Sequence, residues 1–270
     1  MKAMILSGLL IFISLVSPAP AYADSTIILS TIQRLPISND LQTGLADRIA
    51  TEAFRRIGIR AIIRKVPARR ALRDANAGLH DGDLARIAGV TRTYPDLLPV
   101  PEITWVAEIV AFSKNSQITT PDWKSLEKYR TSYIRGWVVF ENNLPDTPMV
   151  DKVVTPEALF KMLKMDRAEL ALYEKKMGYG LLSQQQNNSN IHALQPALTI
   201  EPIYIYLHRK HEDLLPREAN AIREMKQDGS YETIVQDCLS EVLSPSALQA
   251  YIRLQQSYDA SVSLQETQLQ

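Results

Sequence analysis

The sequence predicts an α/β protein built as two lobes. Short β-branched runs alternate with amphipathic helical stretches, the order that produces a parallel sheet. The composition then turns abruptly polar at 114–123 (KNSQITTPDW), after an apolar run at 105–112 (WVAEIVAF). Beyond that break a second series of strand and helix signals begins, with no short-period repeat.

The elements follow in order. Residues 26–32 (TIILSTI) form a short buried strand, and Gln33, Arg34, Leu35 and Pro36 make the loop at its carboxyl end. Over 41–57, Leu41, Leu45, Ile49, Ala53 and Ile57 recur on one helical face, with Asn39 or Asp40 to cap the start and Gly58 to end it. Residues 59–63 are the second strand. A basic helix over 67–77 stops at Gly78, and a strand over 82–87 carries Arg86 near its end. The arginines of that helix read as a solvated face, or with Arg69 or Arg70, in its first turn, turned to a ligand. In the second series come a helix over 121–128, a strand over 131–134 ending at Arg135, Gly136 and Trp137, and a short strand at 153–154. Thr155 and Pro156 start a helix, the one as cap and the other at the first position. Residues 169–173 (ELALY) are a strand followed by Glu174, and 184–190 are a polar loop. A strand over 200–207 and helices over 216–227, 231–242 and 245–258 close the chain, leaving 259–270 as a frayed polar tail.

The chain has 270 residues, with 30 basic and 30 acidic side chains. That balance argues against a nucleic-acid partner, which calls for a basic excess. The start reads as a cleaved secretory signal. Lys2 precedes an apolar stretch of about 14 residues, short of the roughly 20 that span a bilayer, and Ala21-Tyr22-Ala23 supplies the cleavage site. The mature protein is therefore expected in the periplasm, beginning at Asp24. Cys238 sits among apolar neighbours and reads as a small buried hydrophobe. His208 and His211 have ligand spacing but no Cys or acidic cluster about them beyond Glu212 and Asp213, so neither metal nor cofactor is expected. No nucleophile elbow, phosphate loop or zinc signature is present, and the reading is of a protein that is not an enzyme.

Five stretches resemble the solute-binding proteins of bacterial amino-acid uptake systems, the family-3 extracellular binding proteins. TGLADRIATEAFRRIGI is similar to the family's GFDVDLAKAIAKRLG helix, and GLHDGDLARIAGVTRTYPDLLPVPE to its GKYDAIIAGMTITPERKKVVDFSDP. YIRGW resembles the VGVQKGT turn and DRAELALYE the GRVDAVVGD strand. LHRKHEDLLPREANAIREMKQDGSYETI resembles VRKGDPELLKAVNKALKELKADGTYDKI. The resemblance covers nearly all of the chain after Ala23. It implies a type II periplasmic-binding-protein fold: two lobes, each a mostly parallel sheet flanked by helices, joined by two hinge strands near 108–112 and 201–206. Lobe 1 is then 24–110 with 203–258, and lobe 2 is 111–202.

The resemblance also implies a small-molecule ligand between the lobes, a permease or sensor receptor in the membrane as partner, and a monomer. The family's carboxylate-holding arginine falls in the turn that here reads VTRTYP, which leaves the role between Arg86 and Arg92. Glu174 matches the acidic residue that holds an amino group. Trp137 stands where the family has Ser or Thr, and Arg34 where it has an aromatic. The candidate ligand-binding set is Arg34, Arg70, Arg86, Arg92, Arg135, Trp137, Tyr173 and Glu174. It suits a ligand that is more anionic than an ordinary amino acid, or large enough to stack on Trp137. Two other readings stand beside it. One is a protein-interaction module whose cleft holds no ligand. The other is a dehydratase-type enzyme on this fold, with Glu174 or Glu108 as general acid.

Overall fold

The structure, a computed structural model, describes residues 25–32, 34–184 and 190–268. The expected signal segment 1–23 lies outside the described residues, as does most of the polar loop at 184–190. One mixed sheet runs the length of the molecule in the order β2-β1-β3-β10-β5-β8-β6-β7. At one end β1 (Thr26–Thr31) pairs in parallel with both β2 (Arg60–Lys65) and β3 (Gly82–Ile87). At the other, β6 (Thr131–Ile134) pairs in parallel with β7 (Val150–Val153) and β8 (Leu170–Glu174). Between them run the long antiparallel strands β5 (Trp105–Ser113) and β10 (Thr199–His208), in register from Trp105 opposite Ile203 to Ile109 opposite Thr199. Short strands β4 (Leu97–Pro99) and β9 (His192–Ala193) add to β10 and β5.

The cores divide along β5. Trp105, Val106 and Ala107 belong to one core, with α1 (Leu45–Arg56), α6 (Leu215–Gln227), α7 (Ser230–Leu239) and the first turns of α8 (Pro245–Gln268). From Ile109 onward the side chains alternate between two smaller clusters, one on each face of the β6–β7–β8 sheet. That alternation is the period of a strand buried on both faces. Val110 and Phe112 face α4 (Pro156–Lys164), where the Phe112 and Phe160 rings meet edge to face at 5.1 Å. Ile109 and Ala111 face Tyr133 and Phe140, the latter in the short α3 (Val138–Glu141). The molecule is thus an α/β protein of two lobes joined by two crossing strands, and Glu108 is the residue of β5 standing between the two cores.

Four elements differ from the sequence reading. The first helix begins at Leu45, not near Leu41, which is 81 % exposed. Asp47 explains this: its carboxylate accepts from Ser38 Oγ at 2.7 Å, from Asn39 N at 3.0 Å and from Gly44 N at 3.1 Å. These bonds hold 38–44 as a turn, and the helix starts only after it. The helix expected over 121–128 is a single 3-10 turn, Lys124–Leu126; eight residues opened by a proline do not offset the cost of helix nucleation. The helix α5 (Lys175–Ser183), which the sequence did not signal, follows β8 directly. At the carboxyl terminus α8 continues through the polar segment set apart as a tail, because Ala, Ser and Gln permit a helix that nothing interrupts with Gly or Pro. The remaining helix α2 (Ala68–Asn76) packs across β1 and β3.

Candidate functional site

Two observations place the carboxyl ends of the parallel strands of one lobe against those of the other. Arg34, just after β1, has Nη1 3.9 Å from Oε1 of Glu157, in the first turn after β7. Gly180 of α5 lies against the 34–36 loop so closely that a Cβ there would sit 2.8 Å from the Leu35 carbonyl oxygen. In α/β sheets the crevice at the carboxyl ends of strands is where ligands bind, so this interlobe seam is the candidate site.

Glu174 ends β8 and caps α5. One carboxylate oxygen accepts from Met177 N at 2.7 Å; the other lies 2.8 Å from Nζ of Lys176. Lys176 is fully buried. It also donates to the Val106 carbonyl at 2.8 Å and stands 4.3 Å from the centre of the Tyr251 ring. Burial opposes its charge, but Glu174, Tyr251 and Glu108 outweigh burial and hold the ammonium above the ordinary lysine value. Next to it, Lys175 pairs with Glu108 at 2.7 Å. Helix α5 of one lobe is thereby bonded to the hinge strand β5 and to α8 of the other, and both oxygens of Glu174 are engaged inside the protein.

Tyr173 is 1 % exposed and packs into its lobe against Trp137 (ring centres 5.0 Å apart) and Phe160. Burial pushes its phenol well above the ordinary value, although Arg34 pulls the other way. Trp137 is half-buried and stacks on Phe140, with rings 10° from parallel at 5.5 Å. Gly136 takes a left-handed φ of +86°, and its N–H donates to Oε1 of Glu141 at 2.8 Å. A carboxylate of this chain therefore already sits on a backbone donor of the β6 exit. The Arg135 side chain is exposed.

On the facing lobe, Arg86 pairs with Oδ2 of Asp83 at 2.8 Å. Asp83 is buried and also accepts from Ser30 Oγ at 3.0 Å and Ala85 N at 3.2 Å, so Arg86 is built into a polar network at the end of β3. Arg92 ends a 3-10 turn, Val90–Arg92, with its side chain exposed; the turn is pinned by Thr91 Oγ1 donating to the Leu97 carbonyl at 2.8 Å. Arg70 is exposed on α2 and lines a groove against β2.

The structure thus brings Arg34, Trp137, Tyr173 and Glu174 into one neighbourhood. It places Arg86 and Arg92 at the exit of β3 and Arg135 at the exit of β6. Sequence reasoning missed Glu141, Glu157, Lys175 and Lys176. The pair Lys175-Lys176 reads as surface charge in sequence; the acidic residue directly before it is the one signal that could have suggested a buried ion pair. Chemically, the exits carry three exposed or half-exposed guanidinium groups, Arg34, Arg92 and Arg135, against two exposed carboxylates near them, Glu157 and Glu141. Among the described residues no group of His, Cys, Asp and Glu is arranged to hold a metal, and no helix is long and apolar enough to cross a membrane.

No family model matches the chain. An uncharacterized protein of Shewanella oneidensis is 27 % identical over 195 residues, 69 % of this chain and 73 % of that protein. Among solved structures, a mutant of the arginine-binding protein ArgBP of T. maritima superposes with a TM-score of 0.63 at 16 % identity, covering 80 % of this chain and 96 % of that one. The amino-acid transporter substrate-binding protein AbpA of Streptococcus pneumoniae, bound to L-arginine, gives 0.65 at 11 %, covering 82 % and 97 %. A histidine kinase sensor domain similar to periplasmic binding proteins also gives 0.65 at 11 %, covering 80 % and 96 %. The chain therefore has the two-lobed fold of the periplasmic binding proteins.

Proposed function

We propose that this protein is a periplasmic solute-binding protein that captures a small anionic ligand between its lobes for a membrane permease or a sensor receptor. The observation that carries the reading is the seam itself: strand ends of both lobes meet at Arg34 and Glu157, and Arg92 and Arg135, at the exits of β3 and β6, form no ion pair among the described residues. An arginine fork holds carboxylate or phosphate through two parallel charge-assisted bonds. The compared proteins include one bound to L-arginine, and a cationic ligand of that kind needs a free carboxylate. Glu174 spends both oxygens on Met177 and Lys176, which turns the expected specificity toward anions. Export through a signal ending at Ala23 and action as a monomer belong to the same proposal, and no catalytic role is assigned.

The test is a thermal-shift panel of carboxylates and phosphorylated metabolites on the mature chain. A true ligand at a hundred times its Kd adds about 2.7 kcal/mol, and Arg92→Gln with Arg135→Gln abolishes that gain. A panel that leaves Tm unchanged refutes ligand capture. It would favour the second reading, a protein-interaction module, for which the carboxylate of Glu141 already seated on Gly136 N–H is the supporting observation.

A further inference from the structure

We infer that the groove between β2 and α2 is a second anion site, separate from the interlobe seam, for a small ligand carrying two or more negative charges of the phosphate type. The groove, open to solvent along much of its face, offers about 440 Å³. Arg64 and Lys65 enter it from β2, Arg70 from α2, and His80 from the loop before β3. β1 lies parallel to both β2 and β3, so the end of β2 and the start of β3 are at opposite ends of the strands, and the groove follows α2 from one toward the other.

Its charge is one-sided. No ion pair among the described residues involves Arg64, Lys65 or Arg70. The one acid lining the groove, Asp74, pairs with Arg73 at 3.0 Å. His80, half-buried, lines the far end of the groove; its Nδ1 is buried and has no hydrogen-bond partner among the described residues. The simpler account is that β2, the outermost strand, carries basic side chains to repel edge-to-edge pairing. That accounts for Arg64 and Lys65. It does not account for an arginine reaching in from the helix opposite, or for a groove whose one lining acid is already paired.

Inorganic pyrophosphate is the probe, titrated calorimetrically into the mature chain against sodium chloride of matched ionic strength. Saturable binding at one site is expected. Arg64→Gln and Arg70→Gln, both at exposed positions, each weaken it about tenfold or more, while Arg135→Gln in the seam leaves it unchanged. Vesicles containing cardiolipin, whose headgroup carries two phosphates, with phosphatidylcholine as control, separate the sources of such a ligand. Capture that pyrophosphate competes away assigns a lipid headgroup; pyrophosphate binding without capture assigns a free solute. Absence of saturable binding, binding that both groove variants leave intact, binding that Arg135→Gln removes, or vesicle capture that pyrophosphate fails to compete overturns the inference. Because the seam variant is carried in parallel, loss of the seam site and loss of the groove site give different patterns.

Discussion

Replacing Lys176 with methionine tests how the lobes are joined. The methionine fills much of the lysine's volume but leaves Glu174 without its cation, the Val106 carbonyl without that donor and the Tyr251 ring without its charge. Removing one partner of a buried ion pair costs about 3–5 kcal/mol, since the remaining charge stays desolvated. For a chain of this size that is a fall in Tm of roughly 10 °C. Adding Glu174→Gln removes the stranded charge and recovers most of the loss, to within about 1–2 kcal/mol of the wild type. Urea and thermal unfolding followed by circular dichroism measure the four corners of this cycle. The pH dependence has a definite sign. A lysine whose folded pKa is raised contributes its full stability below the ordinary value of 10.5 and loses it as pH climbs through the folded value. The penalty of Lys176→Met is therefore constant across the neutral range and shrinks only in strong alkali. A penalty under about 1 kcal/mol, or two substitutions whose effects simply add, would refute the buried-pair argument.

Two further outcomes follow from single buried positions. Glu218 on α6 is fully buried, and neither carboxylate oxygen has a partner among the described residues; burial raises its pKa well above the ordinary 4.5. The folded chain keeps a proton that the unfolded chain releases, so stability falls as pH rises above 4.5 toward the folded value. Glu218→Gln, a neutral isostere, matches the wild type in acid and exceeds it at pH 8; a variant less stable than the wild type at pH 8 contradicts this. At Gly180, an added methyl would press on the Leu35 carbonyl oxygen and Pro36 Cδ, 2.8 and 2.9 Å away. Gly180→Ala is expected to part the lobes, seen as a larger radius of gyration by small-angle scattering, and an unchanged radius counts against the seam.

The strands were legible because buried parallel strands declare themselves: β3 and β6 have the bounds expected from their apolar runs and flanking turns. The two hinge strands were readable as apolar and β-branched runs on either side of a polar break. Helix α5 was hidden because Gly178 and Gly180 lower helix propensity. Their reason is tertiary: a Cβ at 178 would lie 2.3 Å from the Phe112 ring, and one at 180 would strike the facing lobe. The candidate site divides in the same way. Position at a strand end singled out Arg34, Arg86, Arg135 and Glu174, since that depends on local order. Their partners come from up to 123 positions away along the chain, and nothing in a single sequence states that Lys176 is buried beneath Tyr251 or that Asp83 turns inward to hold Arg86.

The contacts that cross between the lobes differ in kind, and the difference bears on how the protein would work. Around α5 they are buried: the pairs Glu174–Lys176 and Glu108–Lys175, the bond to the Val106 carbonyl, and the side chains of Met177 and Tyr179, which pack against both cores. At the seam the one ion pair among the described residues, Arg34–Glu157, is 3.9 Å long and solvent-exposed on both sides, a kind worth about 0–1 kcal/mol. Opening the seam while the α5 cluster stays intact is therefore cheap, and opening the cluster is not. Motion should pivot on the cluster and on β5 and β10. With so little holding the seam shut, the ligand of the proposed function would need only modest differential contact with both lobes to decide between open and closed, and Arg92 and Arg135, at the exits of β3 and β6, are the proposed points of such contact.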